Sequence, residues 1–154
     1  MNLLSDAVLY LSAASLGLFV GALLTEAFVL VPMWRSLSPS EFFALHAGHA
    51  HRLFAFFAPL TIVATSLAAV GAATSLVAAH PGRGAAAAAA SLALAMLATY
   101  FLYFQRANAA FAAASIKPDE LAAELTRWAS WHWLRVVLGI GAFACALWAL
   151  RACA

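Results

Sequence analysis

Four long apolar runs alternate with short polar connections along the chain, at about residues 7–31, 53–79, 84–104 and 129–150. Each holds the roughly 20 residues that a helix needs to cross about 30 Å of hydrocarbon. Backbone groups in lipid must pair within their own segment, so each run reads as a helix. Pro32 is expected to end the first helix, the turn at residues 80–84 divides the second from the third, and Pro118 opens the approach to the fourth. Two helices are expected to outrun the membrane. Ser38-Pro39-Ser40-Glu41 has the form of a capping box, with Ser38 as N-cap and Pro39 in the first helical position. The second helix then starts near Pro39, with a possible kink at Pro59. The fourth is expected to start at Pro118, with Asp119 and Glu120 in its first turn, where the helix dipole favours acids. The predicted architecture is an all-α, four-transmembrane-helix bundle in a single domain, residues 1–154. Its second and fourth helices extend on the cytoplasmic side.

Composition supports this reading. Hydrophobic residues make up 66% of the chain and charged residues 9%, with a mean hydropathy of +0.95. A soluble domain carries roughly a quarter charged residues, so the expected surroundings are a lipid bilayer, with no nucleic acid as partner. Six of the eight lysines and arginines (Arg35, Arg52, Arg106, Lys117, Arg127 and Arg135) cluster toward the first and third connections, leaving Arg83 and Arg151. By the positive-inside rule those connections are cytoplasmic and both termini lie outside, most simply in a bacterial inner membrane. The N-terminus lacks a basic, cleavable leader, so the first apolar run is expected to be retained as an anchor. Cys145 and Cys153, eight apart on one expected helix, match no metal signature, and Cys145 reads as a small buried hydrophobe.

Against this background the polar residues inside the runs stand out. Glu26 lies within the first, where an unpaired carboxylate costs on the order of 2–3 kcal/mol; pairing with an arginine for helix packing is the plain alternative. In the second, His46 and His49 are three apart and share a face that Leu53, Phe56 and Leu60 continue, while His51 points elsewhere. In the third, Tyr100, Tyr103, Gln105 and Asn108 gather near the same end; Asn108 could face the bundle, and Gln105 and Arg106 read as snorkelling. In the fourth, Trp128, Trp131, His132 and Arg135 form one stripe, with Trp133 off it. The two stripe tryptophans fit an interfacial aromatic belt equally well. His80 belongs to the opposite end.

Three functions fit such a layer. The first is chemistry on a flat apolar aromatic or quinone-like small molecule, in a pocket walled by Phe54, Phe56, Phe57, Trp128 and Trp131, with Tyr103 also binding it. His132 and His46 would then move a proton, and Arg135 and Asn108 would stabilise an oxyanion. The second is a metal site of Glu26, His46, His49 and His132 for copper, iron or zinc, or haem held by two histidines. The third is a structural or accessory subunit, glued by polar contacts. A homo-oligomer is compatible with each.

The motifs G-x-x-x-T-E-x-F-V-L-V-P (Gly21 to Pro32), L-S-P-S-E-F-F-A-L-H, a third-helix asparagine and R-W-x-x-W-H-x-L-R resemble the anthrone-oxygenase-like family of small four-helix membrane proteins. The resemblance covers nearly the whole chain. It implies an oxygenase or oxidoreductase acting on an aromatic substrate. Glu26, Pro32, His46, Asn108, Trp128, His132 and Arg135 fall on the family pattern. A proline that usually accompanies the asparagine is absent here, and His49 has no counterpart. Such an oxidation can proceed without a cofactor, since an anthrone carbanion can itself pass an electron to oxygen.

Overall fold

The computed structural model describes residues 3–152. Four long helices account for most of them, with no strand among the described residues: α1 (Leu3–Ser36), α2 (Pro39–Val77), α3 (Arg83–Ala112) and α4 (Leu121–Arg151). All four are long and apolar enough to cross a membrane. Each packs on its neighbours in sequence, and α4 closes the ring against α1. The short connections reverse the chain each time, so the α1–α2 and α3–α4 connections share one end of the bundle. There Arg35 Nη2 donates to Thr126 Oγ1 at 3.0 Å.

The start of α2 follows the sequence closely. Ser38 and Glu41 form the reciprocal capping box, with Pro39 in the first turn. Its far end and that of α3 stop in the same way. Ala79 and Ala114 adopt left-handed φ values of 50° and 46°. The amides of His80 and Ser115 then reach back to the Ser75 and Ala110 carbonyls at 2.9 and 3.1 Å, the paired bonds of a Schellman stop. A Cβ on Gly82 in the α2–α3 turn would collide with the backbone of Ala149, so only glycine lets this turn rest on α4.

Two boundaries differ from expectation. Pro32 does not end α1, which continues to Ser36. A π-helical turn, Glu26–Leu30, precedes it, with the Val31 amide bonded to the Glu26 carbonyl. This wider turn makes room for the ring and places the missing N–H where the helix returns to α register. At the same end of the bundle α4 begins at Leu121, not Pro118, so Glu124 is its first-turn acid. A second π-turn, Tyr100–Phe104, lies within α3, which runs on to Ala112; nothing local in the sequence forces it.

The interior divides into two cores. The end carrying the α2–α3 turn is closed by small residues, among them Ala64, Ala68, Ala89, Ala93 and Ala142, packed with Leu16, Phe19 and Leu23. The other end is aromatic, built from Trp34, Phe42, Phe104, Phe111 and Trp128. Large apolar side chains also cover the outside, such as Leu18, Phe28, Leu102 and Val137. Outside a bilayer such a surface would be an extended aggregation liability.

Candidate active site

The polar residues that an apolar interior should exclude lie in the layer between these cores. Glu26 opens the π-turn of α1 and is 5% exposed. Its Oε2 lies 3.5 Å from Nδ1 of His132, which is fully buried on α4. The other ring nitrogen of His132, Nε2, is 2.9 Å from the Leu23 carbonyl. A carbonyl only accepts, so Nε2 carries the hydrogen and Nδ1 turns a lone pair toward Glu26. A carboxylate also offers only lone pairs, and two of these facing each other in a poorly screened interior repel. The stable occupancy therefore places one proton between Glu26 and His132. Neither Glu26 Oε2 nor His132 Nδ1 has any other hydrogen-bond partner.

Neighbouring groups hold this dyad in place. Trp128, one turn before His132, stacks over its ring at 5.1 Å and 16°. The indole N–H of Trp128 donates to Asn108 Oδ1 on α3 at 2.9 Å. Arg135, one turn on, lies with its guanidinium 4.7 Å from the Phe104 ring centre and acts electrostatically on both Glu26 and His132. A half-buried cation near a buried acid offsets part of the cost of desolvating it.

Glu26, Arg135 and Asn108 border a cavity of about 510 Å³, within the size range of small-molecule sites. Its aromatic and aliphatic walls come largely from α2 and α3, including Leu53, Phe57, Met96, Tyr100 and Phe104, with Trp34 and Trp128 behind. His46 also borders it, boxed by Trp34, Phe42 and Phe111 at ring distances of 5.6–6.5 Å. Its Nε2 is buried without a hydrogen-bond partner.

Glu26, His46, Asn108, Trp128, His132 and Arg135 thus converge as the sequence suggests. Four other candidates do not. His49 is exposed, with its Nδ1 2.9 Å from the Leu45 carbonyl of its own helix. From His46 a step of three residues leads outward, while a step of four leads to Ala50 on the cavity wall. The same phase error affects Phe56, which is 57% exposed; Phe57 takes the wall position. Tyr103 and Trp131 stack on each other at 5.2 Å away from the cavity lining, and the Tyr103 hydroxyl donates to Glu124 at 2.7 Å.

The proposed metal set therefore does not assemble. His49 is outside, both ring nitrogens of His132 are already directed at other groups, and among the described residues no group of three or more His, Cys, Asp or Glu side chains is placed to hold a metal ion. The same orientation of His132 counts against its pairing with His46 as axial haem ligands. Phe54 and Phe57 line the cavity as expected. Trp34 was missed as a wall residue, because it required a helix continuing through Pro32; Tyr100 and Phe104 were read only as neighbours of Asn108.

His80 sits at the far end as expected, but buried. It accepts the Gly82 amide at Nδ1 and faces Asp6 at 3.4 Å through Nε2. His51 is exposed. Cys145 is half-buried, and Cys153 lies outside the described residues. Comparisons with protein-family models, curated proteins and solved structures gave no match.

Proposed function

We propose that this chain is an integral membrane oxidoreductase of the anthrone-oxygenase-like kind, acting on a flat, apolar aromatic substrate in the cavity between α2 and α3. The observation that carries this reading is Glu26: a buried acid whose Oε2 meets only a histidine of fixed tautomer, at the edge of an aromatic cavity. An acid needed only for packing would be held by a cation or by several donors, whereas this one shares a proton with a base beside open space.

In this mechanism the substrate ring lies against Trp34, Trp128 and Phe104. Glu26 takes the proton from its activated carbon on its second carboxyl oxygen, while the proton it shares with His132 passes onto Nδ1. Arg135 and the Asn108 amide stabilise the negative charge that develops on the ring oxygen. Dioxygen is the oxidant: one oxygen atom stays on the carbon as the new carbonyl, and the other leaves as water with the two hydrogens that carbon has lost. The role sketched for His46 and His132 as independent bases thereby shifts to Glu26 acting with His132. His46 becomes part of the wall.

The cationic residues clustered toward the α1–α2 and α3–α4 connections support a cytoplasmic location for that end, with both termini on the other side of a bacterial inner membrane. The extensions of α2 and α4 then project into the cytoplasm.

Oxygen uptake by the detergent-purified protein in the presence of an anthrone, compared with Glu26→Gln, tests the reaction. Loss of uptake in the variant supports the assignment, whereas a wild-type protein that consumes no oxygen leaves the polar layer a packing device. Cysteines placed at Ser36 and Gly84 should react with an impermeant maleimide from opposite sides of the membrane. Labelling from one side would overturn the topology.

A further inference from the structure

The way into the cavity is determined by what closes its other sides. Toward the α1–α2 and α3–α4 connections, Trp34, Phe42, Phe111 and Trp128 are each 6% exposed or less. Toward the termini, Leu23, Ala64, Met96 and Val136 are each 1% exposed or less. Native packing at such density leaves no passage for a ring from either aqueous end.

The remaining side lies between α2 and α3, where two stripes of cavity-lining residues face each other. Phe54, Ala58 and Ile62 follow at intervals of four on α2, and Leu97, Phe101 and Gln105 do so on α3. Residues four apart lie above one another on α2, and on α3, where the stripe passes through the π-turn, all three residues line the same cavity, so each stripe forms a lip. Phe54, Ile62 and Phe101 are 57, 58 and 62% exposed, so the lips lie on the outer surface of the bundle. Midway along the α2 lip Ala58 offers only a methyl group, the smallest side chain of the two stripes. Except for Gln105 at one end, the lips are apolar.

We infer that this slit is a lateral portal, through which an aromatic ring dissolved in the bilayer enters the cavity without passing through water. The inference rests on the proposed membrane reading and specifies how the substrate of that site arrives. The walls behind the slit are aromatic and aliphatic, while Glu26, Arg135 and Asn108 lie deeper. The ligand that fits is a ring system apolar along its length and carrying oxygen at the edge that enters first. Lipid acyl chains match the lips but would leave the polar groups without partners.

Photolabelling of the full chain in phosphatidylcholine vesicles tests the portal. The probe is a small aryl trifluoromethyl diazirine, which partitions into the bilayer, with glutathione present to scavenge aqueous probe. Peptide mass spectrometry should find label on the buried cavity residues Trp34, Met96 or Trp128 as well as on outward Leu102. Ala58→Phe, which puts a ring at that position, should abolish the cavity label and leave the Leu102 label unchanged. Leu97→Phe should do the same from the opposite lip, and Phe101→Ala should raise the cavity label. Label confined to outward residues, cavity label lost on adding glutathione, or cavity label unchanged in both phenylalanine variants would each overturn the portal. Oxygen uptake is measured separately. Cavity labelling in a protein inert toward anthrones retains the portal and sinks the reaction; uptake without cavity labelling does the reverse.

Discussion

Glu26 and His132 face each other across 3.5 Å between α1 and α4, and the Leu23 carbonyl fixes which histidine nitrogen carries the hydrogen. The acceptor that sets the tautomer comes from the same helix as the acid. That helix widens into a π-turn beginning at Glu26 itself. Single π-turns tend to occur at functional sites because they re-aim side chains out of regular phase. Here the turn sets carboxyl, imidazole and cavity in one layer.

If this dyad is the base, Glu26→Gln should retain the fold, because the amide N–H can donate to His132 Nδ1. Oxygen uptake with an anthrone should fall by at least about 100-fold, the usual contribution of a positioned base. The melting temperature in detergent should hold, since the amide replaces the shared proton and leaves the net charge of the layer unchanged. A variant oxidising at the wild-type rate would place the base elsewhere.

Arg135 and Glu26 compensate each other in a region that excludes water. Removing the cation alone, as in Arg135→Met, should destabilise the protein by about 1 kcal/mol, because the carboxyl end of the proton-sharing pair loses the cation that acts on it. Adding Glu26→Gln to that variant should recover most of the loss. Thermal unfolding of the two single variants and the double gives the coupling directly. Additive losses would mean that the two charges act independently.

What could be read from the sequence, and what could not, follows physical lines. The four helices and the α2 cap were legible because hydropathy and capping are local. Glu26, Asn108, His132 and Arg135 were legible because polar groups inside apolar runs are few. Helical phase was not. Steps of three and four residues from His46 lead to opposite sides of the cavity boundary, and only packing against α1 and α3 chooses Ala50 over His49. The two π-turns were invisible, although the one before Pro32 is what lets α1 carry Trp34 into the aromatic core. Tyr103 looked equivalent to Tyr100, but the π-turn of α3 begins between Thr99 and Tyr100 and shifts the phase of everything after it.

The two histidines of α2 give a direct test of that phase. His49→Ala should change stability by less than about 0.5 kcal/mol, as usual for exposed positions, and leave oxygen uptake intact. His46→Ala opens a void among Trp34, Phe42 and Phe111 and should cost about 2–4 kcal/mol, as large-to-small core changes do. Equal effects at the two positions would mean that α2 is rotated from the orientation described.

Ala114 ends α3 with a left-handed backbone, φ 46°, and its side chain is exposed. For a residue with a Cβ this conformation costs roughly 1–2 kcal/mol, whereas glycine adopts it freely. The bonds of the stop, from the Ala114 amide to the Phe111 carbonyl and from Ser115 to Ala110, both at 3.1 Å, use backbone atoms only and survive the change. Ala114→Gly should therefore stabilise the protein, by somewhat less than that strain, because glycine gives back part of the gain as unfolded-chain entropy. A rise of about 0.5–1 kcal/mol in unfolding free energy is expected, with oxygen uptake unchanged. Chemical unfolding in detergent measures it, and a loss of stability would show that α3 does not end in this turn.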